Sequence, residues 1–332
     1  MTLFPTQYST LSSSALRDVL AQRYEIAFTA CKYLLRGVSD TYRLERGATR
    51  YILKIYREMH RSHEEILGEV ELLNALKNEG GRVAAPLPDR DGAYLQSFQA
   101  AEGIRYGVLF EFAKGTSIQQ LNDTQLRTVG REMAMLHQVT TAITLQHTRP
   151  VFSFDVTVRK PLKTVATAFA GLTAEYDYLC KTGEAVVRKL ESFNLSKFSY
   201  GYCHFDFLPK NFHFDDAGNV TFFDFDFTGR SFIAYDIMSF WVHFAWQADF
   251  KRLTEDEAER QFAVFLHAYR TIRPFSDEEL RAVPYLCFTW FVYFLEYHYL
   301  HFDDFSNPSF TPRSIQDRVA LIKRLTDRYC NL

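Results

Sequence analysis

The run Tyr202-Cys203-His204-Phe205-Asp206-Phe207-Leu208-Pro209-Lys210-Asn211 leads into Phe212-His213-Phe214. Then come Asp215-Asp216-Ala217-Gly218-Asn219 and Val220-Thr221-Phe222-Phe223-Asp224-Phe225-Asp226. The Asp-Asp-Ala-Gly-Asn stretch is a turn, and its flanks at 211–214 and 220–223 alternate or run apolar, as hairpin strands do. In that hairpin Asn211 starts one strand, Asp224 ends the other, and Asp206 sits in the loop just before. Two carboxylates and one carboxamide would therefore converge on the open end of a rigid hairpin. Such a set suits phosphoryl transfer. A carboxylate repels a phosphate oxygen 4 Å away by about 4 kcal/mol at an effective dielectric of 20. A divalent cation such as Mg²⁺ reverses the sign and takes hard oxygen ligands, here Asp224 Oδ and Asn211 Oδ1. Asp206 is then left to orient an acceptor hydroxyl and take its proton. The plainer reading is a polar hairpin end whose turn residues satisfy one another.

The elements that must position these groups are legible in the periodicity. A short amphipathic helix covers Ser14–Arg23. Three strands follow at about 26–36, 40–45 and 50–56, then a helix over roughly 62–78 and two strands at 93–99 and 105–112. Beyond Lys114-Gly115 the chain turns helical, with helices over 124–139, 172–193, 234–247 and 313–328 around the β segment at 200–228. Thr254-x-x-Glu257 and Ser276-x-x-Glu279 are capping boxes that start two more helices. Pro284 falls inside the second of these, which predicts a break or kink. The organisation is an α+β chain in two lobes. Residues 1–112 form a small β-rich lobe, preceded by the short helix. A hinge near 113–115 joins it to a larger helical lobe over 113–332.

Composition sets limits. The chain has 332 residues, 47% hydrophobic and 23% charged, with a net charge of −2, so no global basic field draws it to nucleic acid or anionic lipid. Its five cysteines are odd in number, with no CxxC pair and no zinc spacing. The N-terminus has neither a basic n-region nor an apolar core. The most apolar stretch, Val283 to Phe302, contains Pro284, Glu296, His298 and His301, unlike a membrane span. These features predict a cytoplasmic protein with free thiols and with neither nucleic-acid nor membrane partners; its oligomeric state is left open. Aromatics reach 16%, with 31 Phe and 19 Tyr. One concentration flanks the hairpin and the other runs from Phe288 to Phe305, so the first reads as scaffold and the second as a candidate pocket wall.

With these residues in place, HFDFLPKN followed by FFDFDF resembles the catalytic loop and metal-binding segment of the aminoglycoside phosphotransferase and choline kinase superfamily. These are relatives of the protein kinases that write the two segments His-Gly-Asp-x4-Asn and Ile-Asp-Phe-Asp. Tyr235-Asp236-Ile237 resembles the family's Tyr-Asp-Leu. Phe223 through Asp236, Ala268-Tyr269-Arg270 through Arg273-Pro274, and Ser276-x-x-Glu279-Leu280 are similar to type II homoserine kinases and bacterial stress-response kinases. The resemblance spans about residues 24–300 and is sharp at 200–240. It implies a bilobal protein-kinase-like fold, ATP and Mg²⁺ as cofactors, Asp206 as catalytic base, and Asn211 and Asp224 as metal ligands. Lys54 would hold the α- and β-phosphates, where the plainer reading is a snorkelling surface lysine. Glu69 would pair with it, with Glu65 one turn earlier as the other choice. Ser39, in the single-glycine turn Arg36–Tyr42, would face phosphate or belong to an ordinary hairpin turn. Glu111 and Ala113 would offer backbone to the adenine edge. His204, Asp226 and Asp236 would support the loop and metal. Lys210 reads as a solvated lysine.

The implied function is transfer of the γ-phosphate of ATP to a hydroxyl of a small molecule, an amine-bearing alcohol of homoserine, choline or aminoglycoside type. The acceptor contacts would come from Trp241, Trp290, Tyr293, Glu296 and Asp303, where acids beside aromatics suit an ammonium group. The alternatives are a stress-response-type protein Ser/Thr kinase, a nucleotide-binding pseudokinase scaffold, and a metal hydrolase, which leaves Lys54 unexplained. Three departures from the family pattern stand out. Phe205 stands where the family commonly has small residues or Arg, Leu208 stands where protein kinases have lysine, and no Ala-Pro-Glu segment follows Asp224.

Overall fold

The computed structural model describes residues 4–6, 8–57, 60–301 and 311–332. In chain order, helix α1 (Ser13–Tyr24) precedes strands β1 (Ala30–Arg36), β2 (Ser39–Arg46) and β3 (Thr49–Tyr56), helix α2 (His63–Asn78), and strands β4 (Leu95–Gln99) and β5 (Ile104–Glu111). Helices α3 (Asp123–Thr140), α4 (Lys160–Val165) and α5 (Thr173–Glu191) follow. Strands β6 (Tyr200–Cys203), β7 (Phe212–Phe214), β8 (Val220–Phe222) and β9 (Gly229–Phe232) come next. Helices α6 (Ala234–Asp249), α7 (Glu255–Arg270), α8 (Asp277–His301) and α9 (Pro312–Tyr329) complete the chain. They group into two units. One comprises Met1–Thr116, Thr144–Arg149 and Phe212–Asp226, and the other Ser117–Ile143, Pro150–Asn211 and Phe227–Leu332. Among the described residues no helix is long and apolar enough to cross a membrane, and all five cysteines are free.

The first unit is built on an antiparallel sheet of order β1-β2-β3-β5-β4. The last four residues of β3, Leu53 to Tyr56, are all buried, so both faces of this central strand are covered. Successive side chains point to opposite faces. Leu53 and Ile55 join Leu16, Leu20 and Tyr24 of α1 and Tyr42, Leu44 and Leu109 of the sheet in one core, at about 1.5–3 kcal/mol for each fully buried aliphatic side chain. That burial fixes the register, and the register sends Lys54 to the other face. A capping box starts α2: the Ser62 hydroxyl accepts from the Glu65 N–H, and the Glu65 carboxylate accepts from the Ser62 N–H.

The β7–β8 hairpin pairs Phe212 with Phe222 and Phe214 with Val220. Asp215 Oδ1 accepts from the N–H groups of Ala217 and Asn219 and closes the turn. Phe222 binds the backbone of Arg82 and Ala84, and Phe214 that of Thr116. Gly115 makes the last contact possible. Its φ is +92°, and a Cβ there would lie 1.8 Å from the Phe214 carbonyl oxygen.

The second unit is helical. Its α6 and α8 are buried almost all round. Of the break or kink expected at Pro284, the break does not occur: α8 runs through it from Asp277 to His301. Proline removes one i→i−4 hydrogen bond at about 3 kcal/mol, and the packing of Val283, Tyr285, Leu286, Cys287 and Phe288 around it outweighs that loss. The π-helical turn Asp155–Arg159 leading into α4 has no counterpart in the periodicity of the sequence.

Candidate active site

Lys54, on β3, is the centre of the first unit's chemistry. Its Nζ donates to Asp224 Oδ1 at 2.7 Å and to Asp226 Oδ2 at 2.9 Å, and lies 3.8 Å from Glu69 Oε1. Burial alone would lower its pKa. Asp224, Asp226 and Glu69 more than offset this and hold the ammonium protonated, well above the ordinary lysine range. Glu69 on α2 is 1% exposed and accepts from the Tyr56 hydroxyl at 3.1 Å. Glu65 is engaged in its helix cap, so Glu69 is the α2 acid beside Lys54. Burial pushes Asp226 up to about 7, with Glu69 and Asp224 adding to the effect against the pull of Lys54. Glu69 Oε1 and Asp226 Oδ1 are buried without a hydrogen-bond donor among the described residues. Three carboxylates thus share one ammonium, an excess of hard, negatively charged oxygen. Asp224, with 41% of its side chain exposed, is the accessible member, and a divalent cation fits this donor chemistry.

Two buried arginines that the sequence reading passed over hold the segment around Asp226. Arg61 Nε donates to the Asp226 carbonyl at 2.9 Å, and Arg149 donates to it at 2.8 Å and to the Glu65 carbonyl at 2.6 Å. Ser39 begins β2, is buried, and pairs with Tyr56 in the ladder. Glu111 ends β5 and accepts from Lys77 Nζ at 2.7 Å. The Ala113 carbonyl is bound to His213 Nδ1 at 2.7 Å, and its N–H has no partner among the described residues.

The second unit carries the loop of Asp206. Asp236, at the start of α6, accepts from the N–H groups of His204 (2.8 Å) and Phe205 (2.7 Å) and from His137 Nε2 (3.0 Å). His204 Nδ1 accepts from the Asp206 N–H at 3.3 Å, and Ser239 Oγ accepts from that of Phe207 at 3.0 Å. Asn211 Nδ2 donates to the Asp206 carbonyl at 2.8 Å and to Asp206 Oδ2 at 2.9 Å, which leaves Asn211 Oδ1 without a partner among the described residues. Lys210 Nζ lies 2.9 Å from Asp206 Oδ2. Lys210 is exposed, as a solvated lysine would be, and its i,i+4 spacing brings it beside Asp206. Phe205 adopts φ 70°, a left-handed conformation that favours glycine. Its ring stacks on Phe152 at 3.9 Å and packs on Tyr235, Tyr293 and Phe294.

The proposed acceptor residues have different surroundings. Trp290 is buried and its Nε1 donates to the Phe205 carbonyl at 2.8 Å. Trp241 packs edge-on against Tyr329. Tyr293 lies against Phe152 and Phe205. Glu296 is 6% exposed and accepts from the Thr164 hydroxyl at 2.6 Å. Asp303 lies outside the described residues.

The chain matches the phosphotransferase enzyme family over residues 31–282. It is 32% identical to an uncharacterized protein of Synechocystis sp. over 292 residues, covering 86% of this chain and 79% of that one. It is 27% identical to the homoserine kinase of Paramagnetospirillum magneticum over 293 residues, covering 84% and 83%. The fold is that of an amicoumacin kinase solved in complex with AMP-PNP, Ca²⁺ and Ami, with a TM-score of 0.73, 20% identity and coverage of 96% and 94%.

Proposed function

Because the chain belongs to the phosphotransferase enzyme family, we propose that it moves the γ-phosphate of ATP, with Mg²⁺, to a hydroxyl of a small amine-bearing alcohol. The observation that carries this reading is the Lys54 cluster, a buried ammonium beside carboxylates that outnumber it three to one. A divalent cation and the phosphates it binds would complement both charges there. The nucleotide and Ca²⁺ in the related amicoumacin kinase are consistent with such a ligand set. When bound, Mg²⁺ would neutralise phosphate charge, with Asp224 and Asn211 as its protein ligands. Lys54, positioned by Glu69, would hold the α- and β-phosphates. Ser39 and the backbone at Glu111 and Ala113 would complete the nucleotide contacts. Asp206, its Oδ2 fixed by the Asn211 amide, would accept the hydroxyl proton as the phosphoryl group moves.

For the acceptor, Glu296 is a buried carboxylate whose partner is a hydroxyl rather than a cation, and Tyr293 stands one turn before it on α8. An ammonium group would balance Glu296 and lie against aromatic faces. Trp290 and Trp241 act in packing in this reading. The test is ATP consumption over a panel of homoserine, choline and aminoglycosides, with Asp206→Ala beside the parent protein. At least one acceptor should be phosphorylated. Asp206→Ala should lower kcat by at least about a thousandfold while nucleotide binding persists. Retained turnover in that variant would remove Asp206 from the mechanism, and no transfer to any hydroxyl would remove the reading itself.

A further inference from the structure

A cavity of about 200 Å³ opens in the second unit beside the catalytic loop, walled by that loop, by Gln119 and by the C-terminal end of α6 with the residues after it. Its lining carries two cations, Lys210 and Arg252, and no carboxylate among the described residues. Arg252 is exposed, rests over the Phe250 ring at 5.7 Å and has no acidic partner among the described residues. Gln247 lines the same space. It is only 9% exposed, and its carboxamide makes no hydrogen bond among the described residues. Trp246 contributes a wall, and its Nε1 is a buried donor without an acceptor among the described residues. His243, which hydrogen-bonds the Gln119 carbonyl at 3.1 Å, is kept neutral by burial and adds no charge. The space therefore presents ammonium, guanidinium and amide donors to whatever enters, the donor set that recognises a carboxylate or phosphate.

We propose that this cavity seats a carboxylate carried by the acceptor itself, so that the substrate class is a short hydroxy acid. This rests on the phosphotransfer reading above and narrows it. Lys210 sets the scale. Its Nζ is 2.9 Å from Asp206 Oδ2, the oxygen fixed by Asn211. A hydroxyl on that oxygen lies about 2.7 Å from it, and a carboxylate on Lys210 lies about 2.8 Å from the ammonium. Three such links in sequence separate the reacting hydroxyl from the carboxylate by roughly 4–7 Å. That is the span of a molecule with only a few carbons between the two groups. Choline has no anion to place against Arg252 and the Gln247 carboxamide, which have no acidic or hydrogen-bonding partner among the described residues. With Glu296 as the ammonium site, the acceptor becomes a zwitterion.

The test measures binding of L-serine, L-homoserine and 4-hydroxybutyrate, each beside its carboxamide, to the full chain by tryptophan fluorescence without ATP. Trp246→Phe assigns the signal. At least one acid should bind about tenfold or more tightly than its amide. Arg252→Gln, a change at an exposed position, should bring that acid down to the level of the amide. Equal binding of acids and amides, no binding by any acid, or an acid affinity untouched by Arg252→Gln overturns the proposal. So does acetate or inorganic phosphate binding as tightly as the hydroxy acids, since the cavity would then hold a free anion rather than the acceptor. Phosphate transfer from ATP is then measured on the same samples. An acid that binds through Arg252 yet is never phosphorylated refutes the transfer reading and leaves the carboxylate site standing.

Discussion

Around Lys54, three carboxylates meet one ammonium, and two of their buried oxygens find no hydrogen-bond donor among the described residues. Around Asp206 the opposite holds. The N–H groups of His204, Phe205, Asp206, Phe207, Leu208 and Asn211 all have acceptors, supplied by Asp236, His204, Ser239 and the loop's own carbonyls. The first region is under-satisfied in charge, and charge is what a polyphosphate with its cation brings. The second has these backbone donors engaged, and with the Asn211 amide on Oδ2 they fix where the Asp206 carboxylate stands. The contrast separates a region short of hydrogen-bond donors from a loop whose backbone donors are engaged.

The largest effect expected from breaking the charge-rich half comes from Lys54→Met. It strands three carboxylates, and kcat/KM for ATP should fall by about a hundredfold or more, with nucleotide binding weakened in parallel. Titration with a fluorescent nucleotide checks this, and unchanged binding would show that Lys54 does not hold phosphate. In the position-rich half, Asp236→Ala leaves two backbone N–H groups and His137 without their acceptor. It should cost about 3–5 kcal/mol in urea unfolding. A loss below about 1 kcal/mol would mean the loop does not depend on this brace.

Phe205 sharpens the comparison. Phe205→Ala should lose about 3–4 kcal/mol by emptying the space among Phe152, Tyr235, Tyr293 and Phe294. Phe205→Gly should be less harmful than Phe205→Ala by about 1 kcal/mol, because only glycine adopts φ 70° without cost. Equal losses would show that the left-handed backbone is not a burden here. The smallest effect concerns pH and belongs to the second unit alone. Burial lowers His137 and takes His243 and His298 down to about 4. Below the ordinary histidine pKa of about 6.5 the unfolded chain binds protons that the folded chain refuses. Their contribution is therefore complete above pH 6.5 and declines as pH falls towards 4, by about 2 kcal/mol at pH 5 for each of His243 and His298. His243→Gln should flatten part of that decline in thermal unfolding followed from pH 7.5 to 5, and an unaltered slope would remove His243 from it.

Much of this was readable without coordinates because it is local. The helices at 13–24, 63–78 and 123–140 announce themselves by spacing and caps. Asp206, Asn211 and Asp224 lie within one hairpin and its approach. The break placed at Pro284 and the unseen turn at Asp155–Arg159 show the limit. Both were decided by packing against distant residues, which a local pattern does not carry. Trp290 shows it again. On a helix buried nearly all round, no periodicity tells a pocket wall from a side chain whose indole braces the Phe205 carbonyl.

By itself, then, the amino-acid sequence determined the family and the α+β class and named candidate residues for phosphoryl chemistry, because motif identity and strand order are properties of short segments. Only the tertiary structure decided that Lys54 meets an Asp 170 positions later, that Glu69 rather than Glu65 stands beside it, and that Lys210 pairs with Asp206 next to a cationic cavity. Those facts depend on which face of a strand or helix is buried, and burial is settled by the whole chain at once.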